Sequence, residues 1–247
     1  MRLRCPWVLM TALTFALTAQ SETATPVQQP GGPPQLLQIY REFWKPGSIA
    51  ANRKIEAEAS QICVELACPH PYLGLESLTG PKETWFLNGY VSSTEQTQVG
   101  EDYQKNPALI QALNQVLVRK KPLSRADAVN VFARYQRSLS HGAPWSLGEG
   151  RFLVITVIKG DLSAKSNPAV DGSGFEAADG MRVIISATRT RREADARAAK
   201  AGRETCVFAV RPYWSLPAKD WVAADPSFWR HRLAARRAGP AVPLTSP

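Results

Sequence analysis

The chain has 247 residues, 44% of them hydrophobic, and a formal net charge of +9. That length holds one large domain or two of roughly 100 residues each, and four cysteines are too few for a disulfide scaffold. His70, His141 and His231 lie far apart without ligand spacing, and neither a P-loop nor a GxGxxG occurs, so neither a metal nor a cofactor is expected.

The chain opens MRLRCPWVLMTALTFALTAQS. Arg2 and Arg4 form a basic start, and Trp7 to Ala19 form an apolar run shorter than the roughly 20 residues a bilayer span needs. This predicts a signal peptide over 1–19 and an exported protein, periplasmic or secreted. Residues 20–35 are polar and rich in Pro and Gly, and read as a spacer. The excess positive charge sits in the C-terminal half. Export makes nucleic acid an unlikely partner for it, and a solvated basic face is the simpler reading. Removing Cys5 leaves Cys63, Cys68 and Cys206. One disulfide is permitted, the sequence does not name the pair, and free buried thiols are the expected state.

Strands are expected at 36–44, 72–79, 84–90 and 129–139, from branched and aromatic residues bounded by Gly and Pro turns. Gly80-Pro81 joins the second and third as a hairpin. Ser48 is placed to cap a first helix, with Ala51, Ile55, Ala59, Ile62 and Leu66 as its apolar stripe. Ser92 and Glu95 open a second helical stretch, re-entered at Asn106-Pro107 and carrying Leu109, Ala112, Leu113, Val116 and Leu117. Strand, helix, strand, strand, helix, strand is the order of an α+β ferredoxin-like domain over 36–141, an antiparallel sheet with helices on one face. Beyond it, strands are expected at 151–158, 181–188 and 205–211, with a loop over 160–180. A helix is expected at 191–201, and a last basic helix from Asp225-Pro226 to Arg237. These make a second, irregular half over 151–238, followed by a disordered tail at 239–247. Lys82–Leu87 echoes Arg203–Phe208, which suggests a tandem duplication.

The opening strand Ile39-Tyr40-Arg41-Glu42 with its Lys45-Pro46-Gly47 turn carries a family resemblance, extended by Leu78-Thr79-Gly80-Pro81, Glu83–Leu87 and Lys105–Leu109. In these motifs the first half resembles the dimeric α+β-barrel superfamily, which includes antibiotic-biosynthesis-monooxygenase-like and NIPSNAP-like domains. It looks like the exported, tandem kind found among uncharacterised bacterial proteins. The resemblance implies that two ferredoxin-like sheets pack face to face as a barrel, from two chains or from two repeats of one chain. The second half departs from that pattern, with no recognisable helix between its first two strands.

Strand alternation separates an aliphatic set from a mixed polar and aromatic one. The aliphatic set suits the helix-covered face. Tyr40, Glu42, Glu76, Asn88 and Arg134 then share the other face, towards the second half, as candidate ligand-binding residues. There the glutamates would transfer protons and Arg134 would anchor an anion. The expected function is binding of a small molecule or partner without catalysis. A cofactor-independent oxygenase is the alternative. Peripheral docking on the cell envelope through Trp221 to Arg237 is a third reading.

Overall fold

The computed structural model describes residues 32–142, 145, 147–159, 171–202 and 204–229. The expected export signal, residues 160–170 and the expected C-terminal tail lie outside the described residues.

β1 (Leu36–Trp44), α1 (Ile49–Glu65), β2 (Leu73–Ser77), β3 (Glu83–Tyr90), α2 (Ser93–Gln104), α3 (Pro107–Lys120) and β4 (Ser124–His141) follow in the expected order. β2 and β3 form the hairpin, β1 lies between β3 and β4, and every pairing is antiparallel. Asn106 caps α3 by accepting from Leu109 N, with Pro107 in the first turn. Ser48 makes no such cap, because its hydroxyl donates to the carbonyls of Lys45 and Leu123 instead.

The second half contributes β5 (Phe152–Ile158), β6 (Gly172–Ala177), β7 (Arg182–Thr188), α4 (Arg191–Ala201), β8 (Thr205–Val210) and α5 (Lys219–Ala224). β6 lies where the sequence predicts loop. Its glycines hide the strand and also permit it, since a Cβ on Gly174 would stand 2.3 Å from Leu139 of the neighbouring β4.

The eight strands close into one barrel in the order β1-β3-β2-β8-β5-β7-β6-β4. Each half has the same internal order, fourth-first-third-second, and the halves join through β2–β8 and β4–β6. One chain thus completes the barrel as a tandem α+β fold, and the described residues of segments 36–141 and 151–229 share one core. The sequence echo does not mark this repeat. It matches β3 with β8, whereas the topological equivalent of β3 is β7.

The core shows which face is which. Leu37, Ile39, Leu73, Leu75, Trp85 and Leu87 form one cluster with Leu153, Ile155, Phe175, Val183, Ile185 and Phe208 of the other half. The aliphatic set therefore fills the barrel, and the polar set faces outward, where α1–α3 cover part of it. The parity is as predicted and the side is reversed. Burial of two sheets against each other removes more apolar area than helix packing does, so the most apolar faces meet.

α1 shows the same reversal. Asn52, Glu56, Ser60 and Cys63 face inward, while Ala51 is exposed and Ile55, Ala59 and Ile62 are only half-buried. Cys63 is bonded to Cys68, closing the end of α1, and Cys206 alone among the described cysteines is free. This corrects the expectation of free thiols. The spacer ends earlier than position 35, since Pro34 is buried and Gln35 O accepts from Tyr135 N at 3.0 Å.

Aromatic residues close one end of the barrel. Trp229 is fully buried there, donates to Gly148 O at 3.2 Å, and packs with Trp221 and Phe228 on the core. The tryptophans of the expected envelope-docking segment are thus packed on the protein itself, and residues 230–237 lie outside the described residues.

Candidate functional site

The outward face of β1 carries Tyr40 and Glu42. Beside Glu42 the β1–β4 ladder breaks: Arg41 pairs with Val129, and Phe43 pairs with Ala126. Two residues of β4, Asp127 and Ala128, thus oppose Glu42 alone, which is a β-bulge; such bulges open a ladder and re-aim side chains. A cleft of about 460 Å³ lies here, with Tyr40, Glu42 and Lys120 among its walls and Leu117, Lys121, Arg125 and Asp127 around it.

Lys120 ends α3 and reaches inward. Its ammonium donates to both Glu42 oxygens, at 3.0 and 3.2 Å, and lies 2.7 Å from Glu56 Oε2. It also stands 5.5 Å from the centre of the Phe86 ring. All three charged groups are buried, at 4% exposure for Glu42, 1% for Glu56 and 7% for Lys120. Two carboxylates against one ammonium would leave a net negative charge in a low-dielectric site, which is costly. Protonation relieves this. Burial, opposed by Lys120 and reinforced by Glu42, raises the Glu56 carboxyl to about 8. At neutral pH Glu56 is therefore mainly a neutral acid, and the cluster is close to neutral.

Hydrogen-bonding geometry agrees. Neither Glu56 oxygen has a hydrogen-bond partner despite the short approach of Lys120, and one turn back on the same face Asn52 Oδ1 also lacks one. Two ionised carboxylates cannot satisfy each other, but a protonated Glu56 supplies a donor, and Glu42 is the carboxylate beside it. Asn52 is held by its amide, which donates to Thr84 Oγ1 at 3.3 Å; the same oxygen accepts from Trp44 Nε1 at 2.8 Å. For Lys120, burial pulls the ammonium down, but the neighbouring carboxyls outweigh it and, with Glu56 holding its proton, the ionised Glu42 keeps the group charged. Tyr40 is raised, first by its burial and then by the negative charge of Glu42, and so stays a phenol.

The other candidates lie elsewhere. Glu76 is buried between Arg53, at 2.6 Å, and Arg211, so it ties α1 to the β2–β8 seam. Asn88 is half-buried on β3, opposite Gln38. Arg134 is exposed on β4 opposite Leu36, six strand positions from Glu42 and therefore roughly 20 Å away. The predicted quintet shares the outer face but is not one constellation; only Tyr40 and Glu42 come together. Sequence reasoning misses Glu56, Asn52 and Lys120. The signal for the first two is their i, i+4 spacing on a helix whose apolar residues make no clean stripe.

Of the described cavities, two more are relevant. One of about 330 Å³ opens at the barrel end opposite the tryptophan cluster. There the Arg41 guanidinium donates twice to Glu83 Oε2, at 3.2 and 2.9 Å, and Trp85 Nε1 donates to the same oxygen at 2.7 Å. The other, of about 800 Å³, lies at the tryptophan-covered end.

No family model matches the chain, and no curated protein is detectably similar in sequence. Among solved structures, the chain is similar to a proposed monooxygenase from Fusobacterium nucleatum, with a TM-score of 0.45 and 9% identity over 72% of this chain and 93% of that one. A proposed chlorite dismutase gives 0.41 and 12% identity over 72% and 96%. A proposed monooxygenase from Lactobacillus acidophilus gives 0.37 and 9% over 78% and 88%. The barrel assignment rests on the strand pairing of this chain, not on these similarities.

Proposed function

We propose that this is an exported protein that binds a small anion-bearing molecule in the cleft above Tyr40 and Glu42. The observation that carries the reading is the bulge-opened cleft backed by Lys120 and a neutral Glu56. Burying two carboxyls and an ammonium is not needed for stability, because apolar residues of equal volume are commonly as stable or more so. Lys121 and Arg125 outnumber Asp127 around the cleft and favour an anionic group, while Leu117 and Tyr40 offer apolar surface. Export is supported by the Arg2–Ala19 segment and by the Cys63–Cys68 disulfide, a bond that persists in oxidising compartments.

The test is calorimetric titration of the mature chain with salicylate, a small aromatic carboxylate. Lys121→Ala with Arg125→Ala is expected to weaken binding about tenfold, the effect of losing one or two charge-assisted contacts. Arg134→Ala is expected to leave it unchanged. Equal affinity of the double variant and the parent would overturn the reading.

A second reading, a cofactor-independent oxygenase, draws on Glu42 itself. A carboxylate at the floor of the cleft could take a proton from a bound acidic C–H or O–H, leaving an electron-rich substrate to reduce oxygen. Oxygen uptake dependent on a bound phenol, lost in Glu42→Gln, is its measurement.

A further inference from the structure

The cavity at the tryptophan-covered end has a different character from the cleft at Tyr40. At about 800 Å³ it is within the range of small-ligand sites. Its walls combine Tyr90, Trp145 and Trp221 with the ends of the barrel interior at Leu37 and Leu87. Its charged lining is wholly acidic, Glu95, Glu149 and Asp220, in a protein whose formal net charge is +9. Among the described residues neither lysine nor arginine lines it.

Ion pairing within the protein meets only part of that charge, and Glu95 and Asp220 lie in the first turns of α2 and α5. Glu149 is bridged to Arg189 at 2.7 Å, an exposed pair. Among the described residues neither Glu95 nor Asp220 forms an ion pair; Glu95 accepts from Val91 N at 2.6 Å. The remaining titratable group, His70, stacks on Tyr90 with ring centres 4.5 Å apart and contacts Gly89 O at 2.9 Å through Nε2. Burial lowers its pKa, so it adds little positive charge at neutral pH. Aromatic rings beside carboxylates, with no lysine or arginine in the described lining, are the chemistry that recognises an organic cation. An anion would meet like charge, and a neutral apolar ligand would use the rings but not the acidic lining.

We propose that this cavity binds a small organic cation, a quaternary or protonated amine carrying apolar groups, between the Tyr90, Trp145 and Trp221 walls and the Glu95 and Asp220 carboxylates. The site is separate from the cleft at Tyr40 and does not depend on what binds there.

The probe is benzyltrimethylammonium, titrated calorimetrically into the full mature chain, with neopentylbenzene derivatives made soluble by a neutral glycol as the uncharged isostere. The cation is expected to bind at least tenfold more tightly than the isostere. Glu95→Gln with Asp220→Asn keeps size and, at position 95, the capping acceptor; this pair is expected to weaken the cation several-fold and leave the isostere unchanged. Trp145→Leu is expected to weaken both. Thermal melts of each variant identify any that fail to fold, and the cation-to-isostere ratio of the parent stands without them. Equal binding of cation and isostere, absence of binding up to ten millimolar cation, or an unchanged ratio in the double carboxylate variant would each overturn the proposal.

Discussion

Lys120 Nζ lies 2.7 Å from Glu56 Oε2 while its ammonium donates to both oxygens of Glu42, and burial keeps Glu56 protonated. The consequence is an asymmetric trio: an ionised Glu42, a charged Lys120 and a neutral Glu56. Removing the ammonium should be far more damaging than neutralising Glu56. Lys120→Met is expected to cost about 3–5 kcal/mol in urea unfolding, the usual result of stranding a buried charge. Glu56→Gln should cost about 1 kcal/mol or less, since it replaces one neutral group by another of similar shape.

The same asymmetry sets a pH dependence. The folded pKa of Glu56, about 8, lies above its ordinary value of 4.5. The native state therefore holds a proton that the unfolded chain has released over that interval. The stabilising contribution is complete below about 4.5 and is lost as pH rises towards 8. Unfolding free energy measured from pH 5 to 8.5 should decline more steeply for the parent than for Glu56→Gln. Parallel curves would show that Glu56 is ionised throughout.

The cysteines give a direct count. The sequence has four, and removal of Cys5 with the proposed leader would leave three, two of them bonded as Cys63–Cys68. The denatured mature chain should titrate one thiol before reduction and three after. N-terminal sequencing should begin between about Gln20 and Thr25. A precursor that kept Cys5 would titrate one thiol more at both steps. Loss of this short-loop disulfide should cost about 2 kcal/mol.

Trp229 should be a main support of the barrel end. It is fully buried and satisfies its indole N–H on Gly148 O. Trp229→Ala is expected to lower stability by about 3–5 kcal/mol, and Trp229→Phe by less. An exposed, envelope-docking tryptophan would change stability little in either variant.

Much of the first half is legible in the sequence because its signals are local. The β2–β3 turn at Gly80-Pro81, the Asn106-Pro107 helix start and the alternation along β1 each depend on neighbours only. The exchange of inside for outside is not local. Alternation puts Tyr40 and Glu42 on one face and Leu37 and Ile39 on the other, but which face is buried depends on the second sheet. β6 escapes notice because Gly172, Ser173 and Gly174 are poor strand formers, and the two glycines serve there because Ile185 approaches Gly172 and Leu139 approaches Gly174 so closely. The buried trio joins β1, α1 and α3, so no spacing reveals it. Glu42 is visible as a candidate; Glu56 and Lys120 become its neighbours only when α1 and α3 pack.

The most direct test of where the ligand sits is chemical-shift mapping of the isotope-labelled mature protein during titration with salicylate. The account predicts shifts at Tyr40, Lys121 and Arg125, with the methyl signals of Leu37, Ile39 and Ile155 inside the barrel unmoved. Movement of those interior methyls with the cleft residues unchanged would contradict it.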